Sequence, residues 1–175
     1  SQAENNRFYN AKVYKYSKCK NDTVLIVKTS YDYYMFTFSD FLESVGIDEV
    51  LNLYNANGNN TLKDIEIIKC DEESSFNDKN LRTITNQKDI NKIIELLSKE
   101  NTAANGDEMI SKYSDAISNG APYKIVATYT DNSELSILIY PHFINLEIGV
   151  PNDYNYYEIS DEEYNSILSA IGEKE

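Results

Sequence analysis

The stretch LRTITNQKDINKIIELLSK, residues 81–99, predicts a short strand followed by an amphipathic helix, and the rest of the chain is interpreted around it. Asn86 is a suitable N-cap, because its side-chain oxygen accepts hydrogen bonds from the free amides of the first helical turn. Asp89 places a negative charge near the positive end of the helix dipole. An apolar face then recurs at helical spacing, formed by Ile90, Ile93, Ile94 and Leu97.

A second strand–helix pattern closes the chain at residues 156–172, YYEISDEEYNSILSAIG. Ser160 and Glu163 have the S-x-x-E spacing of a capping box, and Gly172 stands where a left-handed residue ends a helix. One interpretation is that the chain contains two related strand–helix subdomains. The other, which we favour, is that any capped helix lying on a sheet shows these offsets.

Period-2 patterns and turn residues predict strands elsewhere. They lie at residues 7–16, 23–29, 33–38, 62–70, 123–130, 134–140, 143–150 and 156–159. Further helices are predicted at residues 40–46 and 107–117, with Asp48 capping another short one. The tight turns leave no room for parallel crossovers. The predicted fold class is α+β, with one or more antiparallel sheets and amphipathic helices packed on one face.

Three segments are expected along the chain. Residues 1–7 form a polar N-terminal tether, residues 8–72 a β-rich half, and residues 80–175 an α+β half. The polar run between the halves is the best internal boundary. The sequence leaves open whether the two halves are separate domains or one.

Composition limits the partners of this protein. The 175 residues carry a net charge of -13, which argues against a nucleic-acid backbone as the ligand. No run has the ~18 apolar residues of a transmembrane helix. The chain has 15 Tyr and no Trp, which we attribute mainly to AT-rich codon usage.

The two cysteines, Cys19 and Cys70, allow one disulfide bond if the protein is exported. We favour two unpaired thiols, because the sequence does not supply the Cα separation that a disulfide requires.

No catalytic, metal-binding or cofactor-binding set is evident, so we predict no catalytic residues, no metal and no cofactor. His142 is the only histidine, and it stands in a YPHF turn without a nucleophile motif. Residues 55–64 superficially resemble a calcium loop, but Gly58 comes too early and the final ligand is missing.

The one local feature that suggests binding is the tyrosine group Tyr154, Tyr156 and Tyr157. Exposed tyrosines stack on sugars or peptides and form hydrogen bonds through their hydroxyls. The YDYY run at residues 31–34 offers a similar group. The alternative, which we favour, is that alternate tyrosines pack in the core.

The helix TNQKDINKIIELLSK, the strands YKIVATYTDNSELSILIY and FINLEIGV, and the closing YYEISDEEYNSILSAI resemble small surface lipoproteins of clostridial and related low-GC Gram-positive bacteria. The resemblance covers about the last hundred residues. It implies export and a lipid anchor on a cysteine upstream of Ser1, and it transfers no functional residue.

The leading functional prediction is a non-enzymatic, extracytoplasmic binding domain of a surface lipoprotein, with a protein or glycan ligand. Its only membrane attachment would be the lipid anchor, since no transmembrane segment is expected. The alternative is a cytoplasmic acidic inhibitor or immunity-type protein that binds a basic protein partner. An enzyme is the third and least favoured hypothesis.

Overall fold

The computed structural model describes residues 8, 10–16, 24–37, 46–55, 60–71, 78–99, 104, 106–147 and 154–173. Within them, the strands are β1 (Lys12–Lys15), β2 (Val24–Lys28), β3 (Tyr33–Thr37), β4 (Leu62–Lys69), β5 (Lys79–Ile84), β6 (Tyr123–Tyr129), β7 (Glu134–Ile139), β8 (Phe143–Glu147) and β9 (Tyr154–Glu158). The helices are α1 (Ile47–Asn55), α2 (Gln87–Leu97), α3 (Gly106–Lys112), α4 (Ser114–Asn119) and α5 (Asp161–Ile171).

The strands form two antiparallel sheets. One has three strands in the order β1-β2-β3, and the other has six in the order β5-β4-β6-β7-β8-β9. Every pairing in both sheets is antiparallel. The predicted α+β class with antiparallel sheets is therefore confirmed.

The two strand–helix units lie at opposite edges of the six-stranded sheet. β5 forms one edge and leads into α2, while β9 forms the other and leads into α5. Asn86 accepts hydrogen bonds from the backbone amides of Lys88 and Asp89, and Ser160 and Glu163 form the predicted capping box. Helices α2 and α5 contact each other, so the two units share one core.

One face of the six-stranded sheet is covered by α1, α2 and α5. The side chains there have the alternation that strands with one buried face require. The largest fully buried side chains include Ile65, Ile67, Ile90, Leu97, Ile125, Tyr129, Leu135, Ile137, Ile139 and Tyr157.

A second, smaller core lies on the opposite face, at the β7–β9 end. Phe143 and Tyr156 pack there with Met109 of α3, and the Tyr140 and Phe143 rings stack at 4.2 Å. The predicted helix 107–117 is in fact two helices, because the chain breaks at Tyr113. The sequence pattern did not predict this second helical cover. It explains why β8 is buried on both faces.

The local predictions around α1 need one correction. Asp48 lies inside the first turn of α1, and the carboxylate of Glu49 accepts a hydrogen bond from the backbone amide of Gly46 at 3.0 Å. Residues 40–45 of the predicted preceding helix lie outside the described residues, as do residues 148–150 of the predicted strand.

The polar run at residues 71–80 does not separate two cores. β4 precedes it and pairs with both β5 and β6, and α1 packs into the core of the six-stranded sheet. From α1 onward, the described elements therefore form one unit that crosses the predicted boundary. The three strands before α1 form their own sheet.

Candidate functional site

The tyrosine group predicted from the sequence does not form an exposed patch. Tyr156 and Tyr157 are both buried, and successive residues of a strand point to opposite faces. Tyr157 joins the large core and Tyr156 the small one. The binding-patch hypothesis is therefore corrected for these two residues; the side chain of Tyr154 is not among those described.

The single histidine is exposed and makes surface contacts. His142 Nδ1 lies 3.5 Å from Asp161 Oδ1, and the imidazole stacks on the Tyr113 ring at a centroid distance of 5.9 Å. Among the described residues, no group of three or more His, Cys, Asp or Glu side chains is arranged to hold a metal ion.

Cys70 is half-buried and lies just after β4. Burial raises the pKa of its thiol, and the nearby Asp78 carboxylate adds to that effect. Its possible partner Cys19 lies outside the described residues. The state of this pair stays a prediction.

The exposed apolar surface of the described chain concentrates on the three-stranded sheet. Apart from Ile110 in α3, every exposed large apolar side chain among the described residues belongs to this sheet or its immediate flanks. These residues are Phe8, Val13, Tyr14, Tyr31, Tyr33, Met35 and Phe36. Exposed apolar clusters of this kind commonly mark interaction sites.

The strand register assigns these side chains to two faces. On the first face, Phe8 packs edge-on against Tyr34 and Phe36, at centroid distances of 5.4 and 5.8 Å. On the second face, Tyr14, Ile26 and Met35 stand opposite one another across the three strands. Met35 is 59 % exposed, so this row presents apolar atoms to solvent.

Two lysines lie beside that row. Lys12 and Lys28 are direct cross-strand partners, and Tyr33 is the next partner of Lys28. The Lys28 ammonium lies 5.1 Å from the centre of the Tyr33 ring, and hydrogen bonding to Tyr33 raises the pKa of Lys28. Like charges directly opposite each other destabilise a sheet. The Lys12–Lys28 pair therefore does not stabilise this sheet.

The β2–β3 turn is built around the buried side chain of Thr29. Its hydroxyl oxygen accepts hydrogen bonds from the backbone amides of Tyr31 and Asp32, at 3.2 and 3.0 Å. Asp32 in turn accepts from the amide of Tyr33. This arrangement leaves the Tyr31 side chain 93 % exposed at the tip.

A shallow pocket of about 210 Å³ opens between the lysines and this turn. Its lining consists of Asn10, Lys12, Tyr14, Lys28, Thr29 and Ser30. Ammonium, hydroxyl and amide groups together are suited to an anionic group such as a carboxylate. We call the row Tyr14, Ile26 and Met35, with Lys12, Lys28 and Tyr33, the lysine-flanked face.

The sequence contains a signal for this surface that the net charge of the whole chain conceals. Residues 1–37 contain six Lys or Arg and three Asp or Glu, whereas residues 38–175 contain ten and 26. The chain is thus basic at its start and strongly acidic afterwards. The YDYY run identifies a tyrosine group, but the exposure of its side chains does not follow from the pattern.

Comparison with known protein families, with curated proteins and with solved structures found no match for this chain. Among the described helices, none has the length and apolar character needed to span a membrane.

Proposed function

We propose that this protein is a non-enzymatic binding domain whose lysine-flanked face contacts an acidic segment of a protein partner. The observation that carries the proposal is the concentration of exposed apolar side chains on the three-stranded sheet. An extracytoplasmic, surface-anchored location is the setting we propose for it, on the resemblance alone.

The chemistry of the face favours a partner that combines acidic and apolar residues. Tyr14, Ile26 and Met35 offer an apolar strip, and aromatic and Met side chains are enriched in protein interfaces. Lys12 and Lys28 lie at one end of that strip, at the edge of the shallow pocket. A carboxylate placed there would meet both ammonium groups, and it would relieve their mutual repulsion.

An array of short synthetic peptides tests this proposal when acidic and apolar content are varied independently. We expect the protein to retain peptides that contain both, and we expect retention to fall with added salt, because exposed charge pairs are screened. The double variant Lys12→Glu/Lys28→Glu should lose this binding. Lys63→Glu/Lys79→Glu, which changes two exposed lysines of the six-stranded sheet, is the matched control and should keep it.

Three outcomes would overturn the proposal. Equal binding by both double variants would show that the lysine-flanked face does not bind the peptides. Binding to vesicles of anionic lipid but to no peptide would make the ligand a membrane surface. Self-association in sedimentation that Lys12→Glu/Lys28→Glu abolishes would make the partner a second copy, whose residues 38–175 are acidic.

The alternative is the acidic inhibitor that binds a basic protein. The observation that favours it is the 26 acidic residues after residue 37, including the exposed Asp161 and Glu162 at the start of α5. The same array distinguishes the two, because this alternative requires retention of Lys- and Arg-rich peptides.

A further inference from the structure

A cleft of about 340 Å³ lies between α1 and α2, above the end of β6. Its volume falls at the lower end of the range found for small-molecule sites, roughly 300–1,000 Å³. Leu51, Leu62 and Ile94 supply apolar atoms to its wall. None of its described lining residues belongs to the three-stranded sheet, so the cleft is independent of the function proposed above.

Three residues that line this cleft each carry a buried polar atom that has no hydrogen-bond partner among the described residues. These atoms are Asn55 Oδ1, Ser98 Oγ and the hydroxyl of Tyr129. Leaving a buried polar group unpaired costs about 1–3 kcal/mol, so such groups are few in native proteins. Three such groups behind the wall of one cleft favour a ligand that pairs with them once the side chains of the wall shift.

Tyr129 makes the strongest case. Its side chain is 1 % exposed, and its ring stacks on that of Tyr54 at a centroid distance of 5.5 Å. Burial raises the pKa of the Tyr129 hydroxyl, and the nearby Tyr54 and Asp131 add to this. The hydroxyl therefore keeps its proton near neutral pH and is able to donate as well as accept a hydrogen bond.

The rest of the lining defines the class of ligand. None of the described residues that line the cleft is Lys, Arg or His, and Asp48 is the one acidic residue among them, so they offer nothing to neutralise a phosphate or carboxylate. Gln87 and Asn91 add amide groups, which donate and accept like the hydroxyls of a sugar. The apolar wall suits the C–H face of a sugar ring. We propose that the cleft binds a neutral, hydroxyl-rich ligand of the mono- or disaccharide class.

A pair of conservative variants tests the proposal. Tyr129→Phe removes the buried hydroxyl of a residue that lines the cleft and leaves the ring. Tyr157→Phe is the matched control, because Tyr157 is equally buried and its hydroxyl also lacks a partner among the described residues, but it does not line the cleft. Both variants are expected to keep or raise Tm, since each removes a buried hydroxyl that gains no hydrogen bond from the described residues.

Binding is measured by chemical-shift titration of amide NMR spectra. The probes are glucose, galactose, N-acetylglucosamine, maltose and cellobiose, with glucose 6-phosphate and glucuronate as anionic counterparts. We expect saturable shifts at Asn55, Gln87, Asn91 and Ser98 with at least one neutral sugar. Tyr129→Phe should weaken that binding about tenfold, the value of one good hydrogen bond, whereas Tyr157→Phe should leave it unchanged.

The proposal fails if none of the neutral sugars gives saturable shifts in the cleft. It also fails if an anionic counterpart binds more tightly than its neutral sugar, or if the two variants weaken binding equally. Because the lysine-flanked face takes no part in the sugar titration, a negative result here leaves the peptide result intact, and the reverse also holds.

Discussion

The side-chain amide of Asn60 donates a hydrogen bond to the backbone carbonyl of Tyr54 at 2.7 Å. Its oxygen accepts from the Thr130 hydroxyl and from the Asp131 backbone amide, at 3.1 and 3.0 Å. Asn60 is fully buried, so one side chain ties the end of α1 to the β6–β7 turn. Asn60, within the segment that superficially resembled a calcium loop, thus has a structural role.

We expect Asn60→Ala to lower the free energy of unfolding by roughly 2–3 kcal/mol, because it removes several hydrogen bonds and leaves buried partners unpaired. Chemical denaturation measures the change. Asn52→Ala is the control, since Asn52 is an exposed residue of α1. An equal effect of the two substitutions would show that Asn60 does not hold these elements together.

The capping box of α5 gives a second stability prediction. Ser160 accepts from the Glu163 amide, and the Glu163 carboxylate accepts from the Ser160 amide at 2.8 Å. Ser160→Ala should cost about 1 kcal/mol, whereas Ser160→Asn should cost less, because Asn is also a good N-cap. Thermal unfolding followed by circular dichroism provides the comparison. Equal losses would remove the cap as the explanation.

The contact between α3 and β9 should weaken at acidic pH. Lys112 and Tyr113 both donate to the Glu158 carboxylate, and the Lys112 hydrogen bond is the main cause that lowers the Glu158 pKa from its ordinary 4.5. A lowered pKa stabilises the folded state above pH 4.5, and that contribution is lost as the pH falls through the folded value. The pair is exposed, so its effect on stability is small.

Carboxyl NMR titration checks this point directly. In the Lys112→Ala variant the Glu158 pKa should move back toward 4.5, while the Glu163 pKa, lowered by its own hydrogen bonds from Ser160, should not move. An unchanged Glu158 value would exclude Lys112 as the cause.

Alkaline pH should destabilise the fold. Burial raises the pKa of Tyr129 and Tyr157, and burial together with a hydrogen bond to Glu173 raises the pKa of Tyr123 to about 12. The unfolded chain loses these protons near pH ~10, so stability is fully present below that pH and falls as the pH rises toward the folded values. Denaturant midpoints measured across this range should decrease, and the phenolate absorbance should rise together with unfolding.

The thiols give the last prediction. Cys70 is half-buried and the pKa of its thiol is raised, so it should react slowly with iodoacetamide in the native protein. The rate of this reaction should increase on unfolding. We expect peptide mapping without reductant to find two separate cysteine peptides. A linked peptide containing Cys19 and Cys70 would overturn the prediction of unpaired thiols.

The helices that carry their own start and stop signals were predictable. Asn86, Ser160 and Gly172 act where the sequence placed them, because caps depend on local hydrogen bonds and on one left-handed residue. The strand pattern likewise predicted the antiparallel arrangement. The caps depend on residues that are close in sequence, whereas the pairing of β4 with β6 joins distant strands that the pattern did not specify.

The predictions that needed long-range information were less successful. The burial of both Tyr156 and Tyr157 could not be predicted. The reason is that the second face of β9 packs against α3, which is a long-range contact. Tyr129 lines a cleft built from α1, α2 and the ends of β4 and β6, which no periodic pattern identifies. The lysine-flanked face was missed because the net charge of the whole chain hides a basic beginning.

The position of β4 inside the six-stranded sheet has a consequence during synthesis. β4 pairs on one side with β5, which follows closely, but on the other with β6, which begins only at Tyr123. At translation rates of about 5–20 residues per second, the nascent chain presents one open side of β4 for several seconds. The β1–β2–β3 meander is complete long before that. It can therefore fold on the ribosome before β6 has been synthesised and can pair with β4.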